Sequence, residues 1–332
     1  MIETISDEAL ASGLTTALRL DGGRRIGSLE RRPGRYRSSS ELEELELTLI
    51  DGSEQSLMFK DYGRPHLGLG GRRCGPEFLF DPRRSIAVYE ELLSGHWDAA
   101  TFRGSLVDPE RRRYWLFLAR FNGSPLDEIG DWFAWEAAAA WLGTFHRAMT
   151  AIAADPPQSV PLLRYDATLF RTSMRRALLF ARSWPIARRR RLERMRHAHE
   201  AVVERLNAEP VTIIHGDFHA SNVLVASTAA PLICSVDWEL AGIGPGLLDL
   251  AALASGNVSD EQRRSLVDAY RSSLGDLTPD GRASNDAFEI LGYCLLQLSI
   301  QWMGWDEQWR PPPDQARDWL ADAELQAEVL SL

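Results

Sequence analysis

The sequence predicts an α+β chain of two lobes, a small antiparallel β lobe followed by a larger, mainly helical lobe. Three observations carry that expectation. Apolar and polar residues alternate on both sides of Asp51-Gly52, as half-buried strands joined by a tight turn require. From Asp131 onward the apolar period changes to that of helices. A single short β region, 211–236, interrupts those helices. Strands followed by a run of helices favour this architecture over a parallel doubly wound sheet.

Taken in order, Ile26 to Leu29 reads as a first strand and Pro33-Gly34 as a turn. Leu45, Leu47 and Leu49 alternate with Glu44, Glu46 and Thr48, and Ser56 to Lys60 pairs back across the Asp51-Gly52 hairpin. On that returning strand Leu57 and Phe59 share one face, Met58 and Lys60 the other. If the first pair enters the core, Lys60 looks out from the opposite side of the sheet. Ser85 to Leu93 has helical spacing and stops before Gly95, and Tyr114 to Ala119 is an apolar run of strand length. The hinge then falls at Arg120-Phe121-Asn122-Gly123, dividing the chain into a β-rich lobe, 1–121, and a helical lobe, 122–332. Trp132 to Met149 reads as one long helix, and 164–205 as helices broken at Trp184-Pro185. Trp302, Trp305 and Trp309 are spaced to lie on one helical face, which is expected to pack against the lobe, with an aromatic substrate wall as the alternative.

Composition narrows the class. The chain has 332 residues, 45% of them hydrophobic and 25% charged, which excludes disorder and a disulfide-stapled miniature fold. Cys74, Cys234 and Cys294 are scattered and odd in number, fitting a reducing compartment and giving no zinc spacing. The stretch up to Leu20 lacks a basic leader with an apolar run, and no apolar run is long enough to span a bilayer. The expectation is a cytoplasmic protein without a membrane partner. A net charge of −10 disfavours a nucleic-acid partner. The charge is uneven: 12 Arg between Arg164 and Arg205 face Asp166, Glu193, Glu200 and Glu204, a formal +8, leaving −18 elsewhere. That basic run reads as a solvated helix face. Of 37 basic residues only one, Lys60, is lysine. Where arginine serves for generic charge, a surviving lysine marks a place for a compact ammonium on a flexible stem.

The β region holds the chemistry. Val211 to Ile214 leads into His215-Gly216-Asp217-Phe218-His219-Ala220-Ser221-Asn222, and Val223 to Val225 and Leu232 to Val236 form a hairpin ending in Asp237-Trp238-Glu239. Pairing Val223 with Val236 sets Asn222 opposite Asp237, beside the loop that carries Asp217. Two carboxylates and a carboxamide oxygen at one sheet edge are hard ligands of the kind that suits Mg²⁺. H-x-D-x-x-x-x-N followed by D is the arrangement of phosphoryl transfer, in which one Asp serves the nucleophile while the Asn and the second Asp hold metal. The lysine expected on the third strand of such a β lobe is Lys60.

These residues resemble the aminoglycoside phosphotransferase and choline kinase family, small-molecule kinases of the protein-kinase-like fold. The likeness extends over most of the chain: Leu57-Met58-Phe59-Lys60, the hinge from Trp115 to Pro125, Trp141-Leu142-Gly143-Thr144-Phe145-His146, the H-G-D-F-H-A-S-N loop, and Asp237-Trp238-Glu239 with Asp249-Leu250-Ala251 beyond. It implies an ATP- and Mg²⁺-dependent transfer of the γ-phosphoryl group to a small-molecule hydroxyl, with GTP as the alternative nucleotide. In it Asp217 would be the catalytic residue, Asn222 and Asp237 the metal ligands, and Lys60, Ser38, Ser39, Met58 and Phe121 the nucleotide contacts. His215 and Asp249 would brace the loop. Residues 163–206 stand where the family places substrate-lid helices. A monomer or homodimer is expected, with an antibiotic, a sugar-bearing metabolite or an amino alcohol as acceptor and antibiotic resistance among the roles.

Two departures stand out. Alignment on Tyr89 puts Ser85 where the family has the glutamate that fixes the lysine, leaving Glu77, Glu90 or Glu91 as candidates. The loop 32–40 is not glycine-rich and offers Ser38-Ser39-Ser40 instead. Two other functions have expected signatures in the sequence. A catalytically inactive nucleotide-binding regulator should lack one of Lys60, Asp217, Asn222 and Asp237, and all four are present. A two-metal phosphoesterase needs further His and Asp motifs that the sequence does not supply. On charge, 164–205 is basic and 306–328 acidic, so the segment facing the cleft decides the acceptor. The expectation is a neutral or amphipathic hydroxylated molecule rather than a polycation.

Overall fold

The structure is a computed structural model and describes residues 5–20, 25–34, 40–65, 75–94, 97, 101–227, 230–275, 285–305 and 317–332. Five antiparallel strands make the first sheet: β1 (Ile26–Pro33), β2 (Ser40–Leu49), β3 (Glu54–Pro65), β4 (Phe102–Asp108) and β5 (Arg113–Ala119), in the order β1-β2-β3-β5-β4. The hairpin closes at Asp51-Gly52, where Leu49 N–H donates to Ser53 O at 2.8 Å and Gly52 takes φ +83°. Leu57 and Phe59 enter one core with Leu45, Leu47, Trp115 and Phe117. The cover of that face is a helix that the strand-rich reading of this lobe did not include, α1 (Asp7–Ala17), which buries Leu10 and Leu14. Its signals are local: Ser6 caps Ala9 N–H, Asp7 and Glu8 fill the first turn, and the two leucines stand four apart.

The other face of the sheet turns toward the rest of the molecule. On it lies α2 (Arg84–Ala87), which continues through Leu92 as wider π turns. Tyr62, Ile86, Tyr89, Leu116 and Leu118 share a core with Phe145, Ile213, Cys234 and Trp238 from beyond the hinge. One apolar cluster thus joins the lysine-bearing sheet to the short strands of the helical lobe, and burial of that many large side chains holds the two in register.

The helical lobe is built on α3 (Trp132–Ala154), longer than the expected 132–149 and capped by Asp131. Between it and the remaining helices lie short strands: β6 (Ser124–Pro125), β7 (Leu163–Arg164), β8 (Val211–Ile214), β9 (Val223–Ala226), β10 (Leu232–Ser235) and β11 (Gly242–Pro245). The hairpin β9–β10 pairs Val223 with Ser235, one residue away from the expected partner Val236. The turn spends one residue fewer than assumed, and Val236 N–H donates to Asn222 O at 2.9 Å. Helices α4 (Ala167–Phe180) and α5 (Ile186–Asn207) are separated by the Trp184-Pro185 break, and α6 (Leu247–Leu253), α7 (Asp260–Leu274), α8 (Asn285–Met303) and α9 (Trp319–Val329) follow. Among the described residues no helix is long and apolar enough to cross a membrane.

The basic and acidic segments turn out to be partners. Arg188 pairs with Asp318 at 2.7 Å, Arg191 with Glu324, and Arg205 with Glu209 and Asp286. The segment 163–206 therefore spends three of its arginines on the C-terminal helix and on α8, while Phe170, Met174, Leu192 and Val202 anchor it in the lobe core. Trp302 is in the last turn of α8 and Trp305 lies past its end, their rings 5.0 Å apart, so one continuous helical face does not hold them. Trp309 lies outside the described residues, as does Cys74; Cys234 and Cys294 are buried.

Candidate functional site

The loop after β8 is fixed from below. Asp249 at the start of α6 is 1% exposed, and its carboxylate accepts from His215 N–H at 2.6 Å and from Gly216 N–H at 2.8 Å. His146 of α3 meets the same carboxylate at 3.2 Å and Tyr270 Oη at 3.0 Å. A buried carboxylate needs such donors, and here they are the backbone of the catalytic-loop candidate. Gly216 must be glycine, since φ is +81° and a Cβ would come within 2.2 Å of Leu240 O. His215 donates from Nε2 to Val236 O at 2.9 Å while Nδ1 accepts from Asp217 N–H at 3.3 Å. Burial pushes the His215 imidazole below its ordinary pKa, so this neutral tautomer ties the loop to the end of β10.

Asn222 Nδ2 donates to the backbone O and to Oδ2 of Asp217, both at 2.9 Å. The amide nitrogen is committed, which leaves the carboxamide oxygen as the group Asn222 offers to anything else. At the other strand end Asp237 stands in the left-handed region, φ 71° and ψ 61°. This uncommon conformation for a non-glycine residue breaks the strand course and redirects its side chain, compensating for the one-residue difference in register.

Lys60 reaches this edge from β3. Its Nζ donates to Asp237 Oδ1 at 2.6 Å, lies 3.0 Å from Glu239 Oε1, and sits 5.0 Å from the centre of the Tyr62 ring. Burial works against the ammonium, but the carboxylates of Asp237 and Glu239 outweigh it and raise the Lys60 pKa. Burial, helped by Glu239 and Asp217, pushes the Asp237 carboxyl up to about 7 against the pull of Lys60. Such crowding of buried carboxylates around one cation favours the arrival of a second.

These groups border a cleft of about 570 Å³ between the sheet and the helical lobe. Met58, Lys60, Phe121, Asn222 and Asp237 all line it, with Leu118, Leu224 and Val225 forming an apolar end. Asp217 is held at its margin by Asn222. Ser38 and Ser39 lie outside the described residues. None of the three glutamates considered for Lys60 meets it: Glu77 is exposed, Glu90 faces Ser105 at 3.5 Å, and Glu91 accepts from Ser159 at 2.6 Å. The carboxylate found there is Glu239, two residues past Asp237. The Asp237-Trp238-Glu239 segment was visible in the sequence, but its contact spans 179 residues to Lys60. His219 is the other residue that motif reading left unassigned. Its Nε2 lies 3.5 Å from Asp217 Oδ1, its ring 5.6 Å from Trp302, and burial lowers its pKa.

Two lobes with a polar lysine–asparagine–aspartate edge and an apolar end in the cleft between them define the class, the protein-kinase-like fold of small-molecule kinases. The chain belongs to the phosphotransferase enzyme family, which matches residues 93–285, more than half its length. No curated protein matches it. Among solved structures it resembles a microcompartment-associated aminopropanol kinase, at 16% identity and TM-score 0.65 over 98% of this chain and 97% of the other. It also resembles choline kinase from Cryptosporidium parvum (11%, TM-score 0.57, 91% and 88%) and a macrolide 2'-phosphotransferase from Brachybacterium faecium (15%, TM-score 0.56, 89% and 90%).

Proposed function

We propose that this chain transfers the γ-phosphoryl group of ATP, with GTP as the alternative nucleotide, to a hydroxyl of a small molecule. The observation that carries the reading is the convergence of Lys60, Asn222 and Asp237 on one cleft, with Asp217 hydrogen-bonded to Asn222 at its margin. Residues 1–121 would supply the nucleotide side and 122–332 the catalytic and acceptor side. Met58, Phe121 and the apolar end of the cleft suit a purine, and Lys60 suits its phosphates. Ser38 and Ser39 would cover the phosphates.

The remaining carboxamide oxygen of Asn222 and the carboxylate of Asp237 form an all-oxygen donor set, which fits Mg²⁺. Bound with the nucleotide, that ion supplies neutralisation of phosphate charge. Asp217 would orient the acceptor hydroxyl and accept its proton, with Asn222 fixing the carboxylate. His215 and Asp249 keep the loop in place without touching substrate.

The acceptor side begins at His219 and continues over Trp302 and Trp319, whose rings are 5.9 Å apart. Arg317 lies over Trp319 at 4.5 Å, and its charge depresses His219. Arg176 of α4 donates to Gly304 O and Trp305 O, so the proposed lid segment supports this wall from behind. Aromatic faces with an arginine beside them suit a neutral or amphipathic hydroxylated molecule better than a polycation. The charge balance of 164–205 bears less on this choice, because Arg188, Arg191 and Arg205 pair with acidic residues of α8 and the C-terminal helix. The named activities of the structural relatives set the panel: amino alcohols, choline-like alcohols and macrolides, extended to sugars and aminoglycosides, in a cytoplasmic enzyme. Phosphorylated product is detected by mass spectrometry after incubation with Mg²⁺-ATP or Mg²⁺-GTP. Product with a neutral or amphipathic acceptor is expected. Preferred turnover of a polycationic aminoglycoside would overturn the acceptor assignment, and nucleotide binding with no turnover of any acceptor would favour an inactive regulator.

A further inference from the structure

Helix α2 brings no carboxylate to Lys60. At the place where the sequence expects one, Ser85 is 1% exposed and its Oγ accepts from Tyr62 Oη at 2.6 Å. What α2 does carry inward is Arg84, 4% exposed. Its Nε donates to Pro161 O, and its Nη1 donates to Leu79 O and to Glu239 O, each at 2.6 Å. Three carbonyls take its Nε and Nη1 hydrogens, and the carboxylates of Asp81 and Glu239 offset part of the cost of burying its charge. One of the three carbonyls belongs to Glu239, the residue whose side chain reaches Lys60 at 3.0 Å.

We propose that Glu239 is the positioning residue for Lys60, and that Arg84 couples α2 to it by gripping the Glu239 backbone. The helix thereby acts on the lysine through a guanidinium and a carbonyl instead of through its own carboxylate. Lys60 lies between two carboxylates, Asp237 at 2.6 Å and Glu239 at 3.0 Å. Asp237 serves two cations in the proposed function, the ammonium and the metal. Glu239 keeps the ammonium at the phosphate site while Asp237 turns to the metal. The same grip ties α2 to the segment after β10 and, through Pro161, to the helical lobe, so the assembled arrangement is the resting one.

This inference rests on the nucleotide site proposed above, and its rival is Glu239 as a further metal ligand. The two separate when nucleotide binding is measured by calorimetry with full-length protein in EDTA, where no metal contributes. Glu239→Gln leaves the carbonyl held by Arg84 unchanged and so spares the fold. It is expected to weaken metal-free ADP binding about fivefold to tenfold, with Glu239→Asp between it and wild type. The Mg²⁺ concentration for half-maximal ATP binding is expected to change less than twofold. Arg84→Lys is expected to weaken metal-free ADP binding about threefold. Wild-type ADP affinity of Glu239→Gln in EDTA with a tenfold higher Mg²⁺ requirement would make Glu239 a metal ligand and overturn the proposal. Wild-type affinity in Arg84→Lys would remove the coupling. Absence of nucleotide binding by the wild type, with or without Mg²⁺, would instead overturn the nucleotide site itself.

Discussion

The two walls of the cleft hold their polar groups by different means. The loop 215–222 rests on one buried carboxylate, Asp249, satisfied by two backbone N–H groups and a histidine. Lys60 and its surroundings rest on ion pairs, with Asp237 and Glu239 sharing one ammonium. Backbone hydrogen bonds fix a shape, since neither partner can leave without exposing an unsatisfied buried group. Ion pairs around a cleft are exchangeable, because an incoming phosphate or cation replaces one partner with another of the same sign. The loop is thus held by its own backbone, whereas the lysine side, already assembled, keeps an ion pair that its ligand can exchange.

Removal of Asp249 attacks the backbone-held wall and has the largest expected effect. Asp249→Ala strands two buried N–H donors, each worth about 1–3 kcal/mol, so an unfolding free energy lower by about 4 kcal/mol is expected from urea titration. A loss below 1 kcal/mol would mean that the loop is held by something else. Lys60→Arg attacks the exchangeable wall and should spare stability while harming function. The planar guanidinium cannot take the place of a compact ammonium between two carboxylates. Steady-state kinetics should show ATP KM raised or kcat lowered at least tenfold, about 1.4 kcal/mol. Wild-type kinetics would reduce the lone lysine to coincidence.

The smallest effect concerns pH. Burial holds His199, His215 and His219 below the ordinary histidine value of 6.5. At these three imidazoles the unfolded chain therefore binds more protons than the native one as pH falls below about 6.5, a contribution to stability that is full above that value and lost on acidification. The Asp237 carboxyl, raised to about 7, contributes in the opposite sense. The thermal midpoint should drop from pH 7.5 to pH 5.5. Replacing His199, which meets Gln297 at 2.8 Å far from the loop, by Gln should make the drop shallower. An equally steep drop would assign the effect to the loop histidines alone.

Legibility in the sequence follows the same division. The strand 56–60, the faces of Leu57 and Lys60, and the order of the loop and the two short strands depend on local period and turn chemistry, and they were readable. The hairpin register was off by one because turn length alone does not reveal that Asp237 adopts a left-handed conformation and restores the placement of its side chain. Helix α1 has only the short signal of Ser6, Leu10 and Leu14, which the strand pattern beside it outweighs. Glu239 could not be paired with Lys60, nor the arginines of α5 with Asp318 and Glu324, because such partners are chosen by the tertiary fold.

Asp217 stands at the meeting of the two walls, and its substitution tests the account most directly. Single-turnover transfer from Mg²⁺-ATP to an acceptor found in the panel, measured beside nucleotide affinity, should separate binding from chemistry. Asp217→Asn is expected to bind nucleotide within twofold of wild type and to transfer phosphate at least a hundredfold more slowly. Transfer at the wild-type rate by that variant would contradict the assignment of the catalytic loop.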